Sequence, residues 1–461
     1  MPKGEKQMST INTKLPHDDI KKLCDGIRKY NYINPADFDN FNVKRGLRNA
    51  DGTGVMAGIT KVCSVEGYYI DDGEKVPREG RLKFRGIDME SIVNACIEED
   101  RFGFEEVVWL LLFGYLPTKD DLAFFTEVLA KHRELPDDFI EDMIMKAPSP
   151  DIMNKLSRSV LSLYSYDPDP DNTSIENVLR QSINLIAQIP AIMSYAYQVK
   201  RRHYYRKSMH IHPLIPEHNT AQAILHSIRS NGKITDKEAK LHDTCLMVHA
   251  EHGGGNNSTF ATRVVTSSGT DTYAAISAGI SSLKGPKHGG ANSRVAFMVD
   301  SFKEGVNDIT NENEVKDFIA KIIRKEAGDG SGLVYGMGHA IYTLSDPRAK
   351  ILRAKAAEFV EGTGFEDEFR LLNLIEELTP AVFSEIKGSN KAMCANVDLY
   401  SGLIYKMLKI PADLYTPLFT TARVAGWSAH RIEEILTGNK IIRPAYKSNS
   451  VKTAYTPISE R

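Results

Sequence analysis

The stretch GMGHAIYTLSDPR, residues 336–348, presents a histidine and an arginine from a single loop. Glycine has no Cβ, so the glycines before His339 let the backbone approach a ligand closely. Pro347 stiffens the far end of the loop, and the planar guanidinium of Arg348 can hold a carboxylate with two parallel hydrogen bonds. These residues predict a loop that offers an imidazole and a guanidinium to a small acid.

The composition is that of an ordinary globular enzyme. A chain of 461 residues is long for one core and predicts two or three domains. Hydrophobic residues make up 42% and charged residues 26%, which is usual for a water-exposed fold. The formal net charge of −2 gives no electrostatic reason to expect nucleic acid or an anionic membrane as a partner.

Three features of the sequence predict a cytoplasmic protein. The opening residues MPKGEKQMSTINTKL contain no apolar run of the kind found in a secretory signal. The longest apolar run, residues 107–113, is too short to span a bilayer. The five cysteines are scattered and show no metal-ligand spacing, which favours reduced thiols in a reducing compartment.

Residues 55–87 predict a small β-hairpin. Residues 62–70 are rich in valine and tyrosine, which favour extended chain. Asp71-Asp72-Gly73-Glu74 is typical of a turn, and residues 81–85 can return as the second strand. Strand signals nearly vanish after this point.

Helical signals dominate from Met89 onward. Thr118 and Thr235 each begin a segment that resembles a capping box, because an acidic residue follows three positions later. Pro190 interrupts the apolar segment 175–197 and predicts a break or a kink there. The fold is therefore expected to be mainly α, with strands confined to the hairpin.

The segment HAEHGGGNNST, residues 249–259, leaves two interpretations open. His249 and His252 are three residues apart, so a helix would place them on one face, and His242 would supply a third metal ligand. The spacing fits no common zinc motif, and helix-terminal histidines that bond local carbonyls are the alternative. In either case the glycines, with Asn256 beyond them, indicate the wall of a polar pocket.

The segment GPKHGGANSR, residues 285–294, places His288 in a turn immediately before an apolar helix. A helix N-terminus lowers the pKa of a histidine and keeps it neutral, so that its N–H can donate to a developing oxyanion. The alternative is a histidine that merely caps the turn.

The segment CANVDLYSG, residues 394–402, places Asp398 at the start of another apolar helix. The alternative to a functional role is a routine N-cap, worth about 1 kcal/mol. Taken with the two histidine turns, Asp398 suits proton abstraction next to a carbonyl, with a carboxylate as base and neutral donors that stabilise the enolate.

These segments, in this order, resemble the citrate synthase family, and the resemblance extends from FRGID at residues 84–88 to Arg443-Pro444. It implies an almost entirely helical fold of two domains with the active site between them. The expected division is a large domain in residues 1–285, a small domain on the CoA side in residues 286–397, and a return to the large domain with a C-terminal arm in residues 398–461.

The resemblance implies condensation of acetyl-CoA with oxaloacetate and water to give citrate and CoA, without a metal or a permanently bound cofactor. Asp398 matches the base that removes a methyl proton of acetyl-CoA. His288 matches the donor to the thioester oxygen, and His339 matches the residue that polarises the ketone of oxaloacetate.

The resemblance also implies the remaining contacts. Substrate-binding residues would be His252, Asn256, Arg348, Phe419, Arg423 and Arg443. In the family the residue that matches Arg443 comes from the partner subunit, so a homodimer is expected. CoA contacts would come from Leu333, Val334, Gly336 and Gly338, with Lys387 or Lys391 on its phosphates.

Three alternatives stay open. A 2-methylcitrate synthase would use propionyl-CoA, and one extra methylene changes binding by only about 1–3 kcal/mol. A relative that binds CoA for regulation without turnover is a second alternative, against which the presence of all three catalytic residues argues. A metal-dependent hydrolase built on His242, His249 and His252 is the third.

Overall fold

The computed structural model describes Cys24 and residues 31–388, 392–438 and 440–461. The chain forms two compact units, one of residues Met56–Ile442 and one of Met1–Val55 with Arg443–Arg461, as far as these stretches are described. This division does not coincide with the expected boundaries near residues 285 and 397, which stay predictions.

In the smaller unit, the segment near the N-terminus contacts the C-terminal segment. Helix α1, Pro35–Asn40, begins after Asn34, whose side chain accepts a hydrogen bond from the backbone N–H of Ala36. Asn449 donates to the carboxylate of Asp37 at 2.7 Å. Described residues from the N-terminal and the C-terminal part of the chain therefore contact each other within this unit.

In the larger unit, the predicted hairpin is confirmed. Strands β1, Cys63–Asp71, and β2, Glu74–Phe84, pair antiparallel across a two-residue turn. Asp72 and Gly73 of the turn both have positive φ, 44° and 83°, as a tight hairpin requires. A third strand of two residues, β3, Ile87–Asp88, pairs with β2 and was not predicted.

The mainly α fold is confirmed as well. The helices of the larger unit are α2 Met89–Glu98, α3 Phe104–Phe113, α4 Lys119–Lys131, α5 Ile152–Leu163, α6 Ile175–His203, α7 Thr220–Ile228, α8 Asp236–His249, α9 Asn257–Thr266, α10 Thr272–Lys284, α11 Ala291–Gly305, α12 Glu312–Ile323, α13 Pro347–Phe359, α14 Glu366–Lys387, α15 Asp398–Met407 and α16 Tyr415–Thr437. Among the helices described here, none combines the length and the apolar character needed to cross a membrane.

The local signals account for most helix ends. Both predicted capping boxes form, at Thr118 before α4 and at Thr235 before α8. Of the predicted break or kink at Pro190, the break is wrong, because α6 continues through it, and the kink stays a prediction. Pro190 is buried with the residues on both sides of it, and packing of the whole helix outweighs the loss of one backbone hydrogen bond.

Two groups of helices position the functional side chains. Helix α16 packs against α3, α6, α8, α9 and α10, and nearly all of its residues between 417 and 432 are buried. Helix α15 packs against α11, α13 and α14. Arg423 lies on α16 and Asp398 begins α15, so each is carried by a helix that its neighbours enclose.

Candidate active site

One cavity of the larger unit brings the predicted residues together. The volume of this cavity is about 170 Å³. All three predicted catalytic residues and five of the predicted substrate residues line it: His252, Asn256, His288, His339, Arg348, Asp398, Phe419 and Arg423. Arg443 belongs to the smaller unit, so its role in substrate binding stays a prediction.

His288 lies in the turn before α11 and is held by the start of α9. Its Nε2 lies 3.3 Å from the backbone nitrogen of Ser258 and 3.1 Å from the hydroxyl oxygen of the same residue. Because a backbone N–H can only donate, Nε2 is assigned as the acceptor and the proton of the neutral ring is placed on Nδ1. Burial, and secondarily the positive charge of Arg423, lower its pKa to about 4. His288 is therefore neutral at physiological pH, although burial, and not the helix N-terminus to which the sequence pointed, is the main cause.

His339 is oriented by the backbone of its own loop. Its Nδ1 accepts hydrogen bonds from the N–H groups of Ile341 and Tyr342, both at 3.1 Å. The N–H of the neutral ring is therefore on Nε2. The imidazole packs against the ring of Tyr342 at 4.7 Å and against that of His252 at 5.1 Å.

Asp398 is the first residue of α15, with Val397 at the N-cap position, and its side chain does not cap the helix. The cap hydrogen bond comes instead from Asn396, whose Oδ1 accepts the N–H of Asp398 at 3.0 Å. The N-cap alternative for Asp398 is thus wrong. Burial raises the pKa of Asp398 to about 6, although Arg348 and Arg423 oppose the rise. A carboxylate with this pKa is a suitable general base near neutral pH.

Asn396 joins the two segments that carry His339 and Asp398, and it was not among the predicted site residues. Its Nδ2 donates to the carbonyl of Gly338 at 3.0 Å, and its backbone N–H donates to that of Gly336 at 2.8 Å. The N–H of Gly338 donates to the carbonyl of Cys394 at 2.7 Å. An asparagine two residues before a helix was a local signal for the cap, but only the fold reveals the contact with the loop.

The two buried arginines of the cavity are bonded differently. Arg348 forms two hydrogen bonds with Asp346, at 3.0 and 2.7 Å, so much of its charge is already balanced. Arg423 donates through Nε to the carbonyl of His249 at 2.7 Å, but its two terminal nitrogens are buried without a partner. Burial lowers the pKa of Arg423 to about 10. Unpaired donors of this kind are expected where a carboxylate binds.

The three histidines of the metal hypothesis do not form a cluster. His249 bonds the carbonyl of Cys245, four residues earlier, at 2.6 Å, and His242 bonds the carbonyl of Ala221 on α7 at 3.1 Å. In the described ranges, no group of three or more histidine, cysteine, aspartate or glutamate side chains is arranged to hold a metal ion. The alternative of a helix-terminal histidine bonded to a local carbonyl therefore describes His249, and the described residues give the hydrolase hypothesis no support.

His252 and Asn256 have distinct surroundings in the cavity wall. The Nε2 of His252 is buried without a hydrogen-bond partner, and burial lowers the pKa of this histidine well below its usual value. Asn256 caps α9, where its Oδ1 accepts from the backbone N–H of Ser258 at 3.3 Å and from the hydroxyl of the same residue at 2.8 Å. The cap explains why an asparagine follows the three glycines.

The predicted CoA contacts lie outside this cavity. Leu333 is 58% exposed, while Val334 packs on the core below it. Gly336 and Gly338 shape the loop with φ values of 84° and 86°, and Lys387 is exposed at the end of α14. Lys391 lies outside the described residues. These assignments to CoA stay predictions.

Two tyrosines that the sequence did not reveal also line the cavity. Tyr405 on α15 and Tyr415 at the start of α16 line it, with ring centroids 5.1 Å apart. Their spacing in the sequence is that of ordinary core residues, so no local signal marked them.

Known proteins similar to this chain are citrate synthases and a 2-methylcitrate synthase. Residues 50–445 match the family model described as "Citrate synthase, C-terminal domain". The citrate synthase of Haloferax volcanii is 31% identical over 91% of this chain and 99% of its own length. "2-methylcitrate synthase 1" of Corynebacterium glutamicum is also 31% identical, over 91% of this chain and 98% of its own.

A solved structure shows the same fold. The citrate synthase of Thermoplasma acidophilum, in a ternary complex with carboxymethyl coenzyme A and oxaloacetate, superposes with a TM-score of 0.71. The two chains are 25% identical, and the match covers 91% of this chain and 99% of that one.

Proposed function

The chain belongs to the citrate synthase family, and on this premise we propose that it condenses acetyl-CoA with oxaloacetate and water to give citrate and CoA. One observation carries the proposal. A single cavity joins a carboxylate of raised pKa, Asp398, to two imidazoles that present N–H groups, and to the unpaired guanidinium nitrogens of Arg423.

Asp398 starts the reaction as general base. With a pKa of about 6 it is ionised in about 90% of molecules at pH 7. It takes a proton from the methyl group of acetyl-CoA, and the electrons of that C–H bond move towards the thioester oxygen. His288 donates its Nδ1–H to this oxygen, which stabilises the enol without any need for a charged imidazole.

His339 activates the second substrate. Its Nε2–H donates to the ketone oxygen of oxaloacetate while the enol carbon attacks the ketone carbon and the new C–C bond forms. The Nε2 proton moves to that oxygen, which becomes a hydroxyl, and the proton that Asp398 took returns to the imidazole through solvent. The product is the CoA thioester of citrate. Water then breaks the C–S bond, which releases citrate and the CoA thiol.

The arginines hold the two carboxylates of oxaloacetate. Arg423 keeps both terminal nitrogens for this purpose, and two-pronged geometry would set the orientation of the substrate. Arg348 keeps the donors that Asp346 does not use. Arg443 from a partner subunit completes the set, so the active form is a homodimer. Its expected compartment is the cytoplasm, as the sequence features indicate.

The CoA portion extends past the cavity along residues 333–338, with Lys387 and Lys391 towards its phosphates. Closure of the small domain, residues 286–397, over the bound substrates would exclude water from Asp398 and keep its carboxylate basic.

A 2-methylcitrate synthase is the second candidate, because the Corynebacterium glutamicum relative of that name is as similar as the citrate synthase relatives. The two reactions share every catalytic step and differ in one methylene of the acyl group. The side chains around Asp398, among them Tyr405 and Tyr415, would decide the preference.

The test is the release of free CoA thiol with oxaloacetate, measured as kcat/KM for acetyl-CoA and for propionyl-CoA. We expect a preference for acetyl-CoA, and a preference for propionyl-CoA would move the chain to the second candidate. Omission of oxaloacetate is the control, since release must then stop if the thiol comes from condensation. No release with either thioester would contradict both candidates and favour a binding role for CoA.

A further inference from the structure

The β1–β2 hairpin packs directly on the loop that carries His339. A Cβ added to Gly67 would lie 2.5 Å from the carbonyl oxygen of Ile341. A Cβ added to Gly80 would overlap the carbonyl oxygen of Ser345 and would lie 2.8 Å from the ring of Tyr342. Side chains larger than hydrogen cannot occupy such positions, so glycine is needed at both contacts.

Hydrogen bonds fix the same contact. The hydroxyl of Thr343 donates to the carbonyl of Gly67 at 2.5 Å. The N–H of Gly80 donates to the hydroxyl of Ser345 at 3.1 Å, and that hydroxyl donates to the carboxylate of Glu79. Lys350, on α13, reaches the same carboxylate at 2.7 Å. The loop is therefore bonded to the hairpin at Thr343 and at Ser345. Backbone and side-chain groups of the hairpin both take part in these hydrogen bonds.

The residues that the hairpin holds are also the residues that orient His339. The N–H groups of Ile341 and Tyr342 both donate to its Nδ1, and the ring of Tyr342 packs on its imidazole. Tyr342 is only 2% exposed, so it cannot move aside into solvent. A displacement of the loop by the hairpin would be transmitted to the imidazole through two hydrogen bonds and one ring contact.

We propose that the β1–β2 hairpin is a positioning element for His339. The positioning residues are Gly67 and Gly80 of the hairpin and Thr343 of the loop. The inference rests on the proposed function, because it acts on the step in which His339 polarises the ketone of oxaloacetate. The hairpin is thereby part of the catalytic apparatus, although none of these three residues lines the cavity.

The first experiment compares Thr343→Val with Thr343→Ser. Valine has the shape of threonine without its hydroxyl, and serine keeps the hydroxyl that bonds Gly67. We expect Thr343→Val to lower kcat about tenfold, since small misplacement of a catalytic group is costly. KM for acetyl-CoA should stay within about twofold, and Thr343→Ser should restore most of the rate.

A matched control removes the same kind of bond elsewhere. Thr126 on α4 donates its hydroxyl to the carbonyl of Leu122 at 2.8 Å, outside the site. Thr126→Val should leave kcat unchanged. Wild-type kinetics of Thr343→Val would overturn the proposal.

Gly80→Ala tests the steric contact, with Gly58→Ala as its control, because a Cβ on Gly58 meets nothing within 4 Å. Gly80→Ala should lower kcat about 100-fold while the control keeps the wild-type rate. If Gly80→Ala does not fold, the Thr343 pair decides, since it introduces no clash.

The decisive step repeats Thr343→Val in a His339→Ala background. A residue that acts through His339 loses its effect when His339 is absent, so the further change in kcat should be less than about twofold. A full tenfold loss in that background would overturn the positioning role and indicate a general structural effect.

A spectroscopic readout separates this inference from the proposed function. In protein with carbon-13-labelled histidine, the imidazole signal that disappears in His339→Ala belongs to His339. Thr343→Val should shift this signal, and Thr126→Val should not. If the wild type releases no thiol but the signal shifts, the proposed function is wrong and the coupling stands. An unshifted signal would refute the coupling whatever the activity.

Discussion

Residues 285–290 and residues 336–348 each present a histidine from a glycine-rich turn, but the protein holds the two turns in different ways. In the first, the N–H groups of His288 and Gly289 bond the carbonyl of Gly285 at 2.9 and 3.0 Å. A Cβ on Gly289 would overlap the carbonyl oxygen of Leu283, only six residues earlier in the chain. A distant residue contributes as well, because the hydroxyl of Thr416 donates to the carbonyl of Gly289 at 2.9 Å. The turn thus combines hydrogen bonds between its own backbone groups with one hydrogen bond from α16.

The second turn depends on the hairpin, more than 250 positions away, and on Asn396, 58 positions from Gly338. Gly67 and Gly80 of the hairpin contact its backbone on one side, and Asn396 bonds it on the other. Similar glycine patterns can therefore mark a turn whose backbone groups bond one another or a turn that depends mainly on distant residues. This difference also predicts that the two histidines respond differently to change.

The largest effect should come from Asp398, the carboxylate that shares the cavity with both histidines. Asp398→Asn removes the base and should lower kcat about 10³–10⁴-fold. Because burial raises the pKa of Asp398 from 3.8 to about 6, its ionisation opposes folding, and stability falls as pH rises through that interval. The Asp398→Asn variant, which carries no ionisable group at this position, should therefore unfold at an equal or higher urea concentration at pH 7.

The control for this change is Asp151→Asn, which alters the helix-capping aspartate of α5 outside the cavity. Retention of wild-type kcat by Asp398→Asn would remove this residue from the mechanism.

The histidines themselves give the next largest effect and sharpen the comparison. Loss of one donor to a developing oxyanion costs about 10²–10³-fold in rate, so His288→Ala and His339→Ala should each fall in this range. His339→Ala should also raise KM for oxaloacetate, whereas His288→Ala should leave it near the wild-type value. Steady-state kinetics with each substrate varied in turn measures the difference.

His132→Ala, at an exposed position after α4, is the matched control. Equal effects of the two cavity variants on oxaloacetate would contradict the assignment of one imidazole to each substrate.

The arginines distinguish the loop of residues 336–348 from the rest of the cavity. Arg423→Gln removes two terminal donors that have no internal partner and the Nε donor that bonds His249, so KM for oxaloacetate should rise about 10–100-fold with a loss of stability of only about 1 kcal/mol. Arg348→Gln leaves Asp346 buried and unpaired, which should reduce the free energy of unfolding by about 3–5 kcal/mol. Kinetics and urea denaturation together separate the two outcomes.

Arg353→Gln, which changes an exposed arginine paired with Glu376, should alter neither quantity appreciably. Greater destabilisation by Arg423→Gln than by Arg348→Gln would reverse the interpretation of the two side chains.

The smallest expected effect is the pH dependence. Activity needs ionised Asp398, whose pKa of about 6 makes kcat/KM fall as pH decreases through 6, by about tenfold for each further unit. His288, with a pKa of about 4, stays neutral over this interval and should add no second transition. A pH–rate profile between 5 and 8 checks this, and activity that rises towards pH 5 would contradict it.

The residues that carry the chemistry could be predicted because each lies in a distinctive local pattern. His288, His339 and Asp398 stand in glycine-rich or helix-initiating segments, and eight predicted side chains line one cavity. The capping boxes at Thr118 and Thr235 were readable for the same reason, since a cap involves neighbours in the chain. The break considered at Pro190 does not occur, because a local rule cannot weigh the packing of a whole buried helix.

The sequence by itself determined the helical class, the hairpin, and the acids, bases and cations of the site, because periodicity, turn residues and side-chain chemistry are local properties. Only the tertiary structure decided the protonation states and the supports. Burial sets the pKa of Asp398 near 6 and of His288 near 4, and it leaves the terminal nitrogens of Arg423 unpaired. Burial of a side chain depends on residues distant in the chain, and so does the contact of Gly67 and Gly80 with the His339 loop. For this reason, neither the pKa shifts nor that contact can be predicted from a single stretch of sequence.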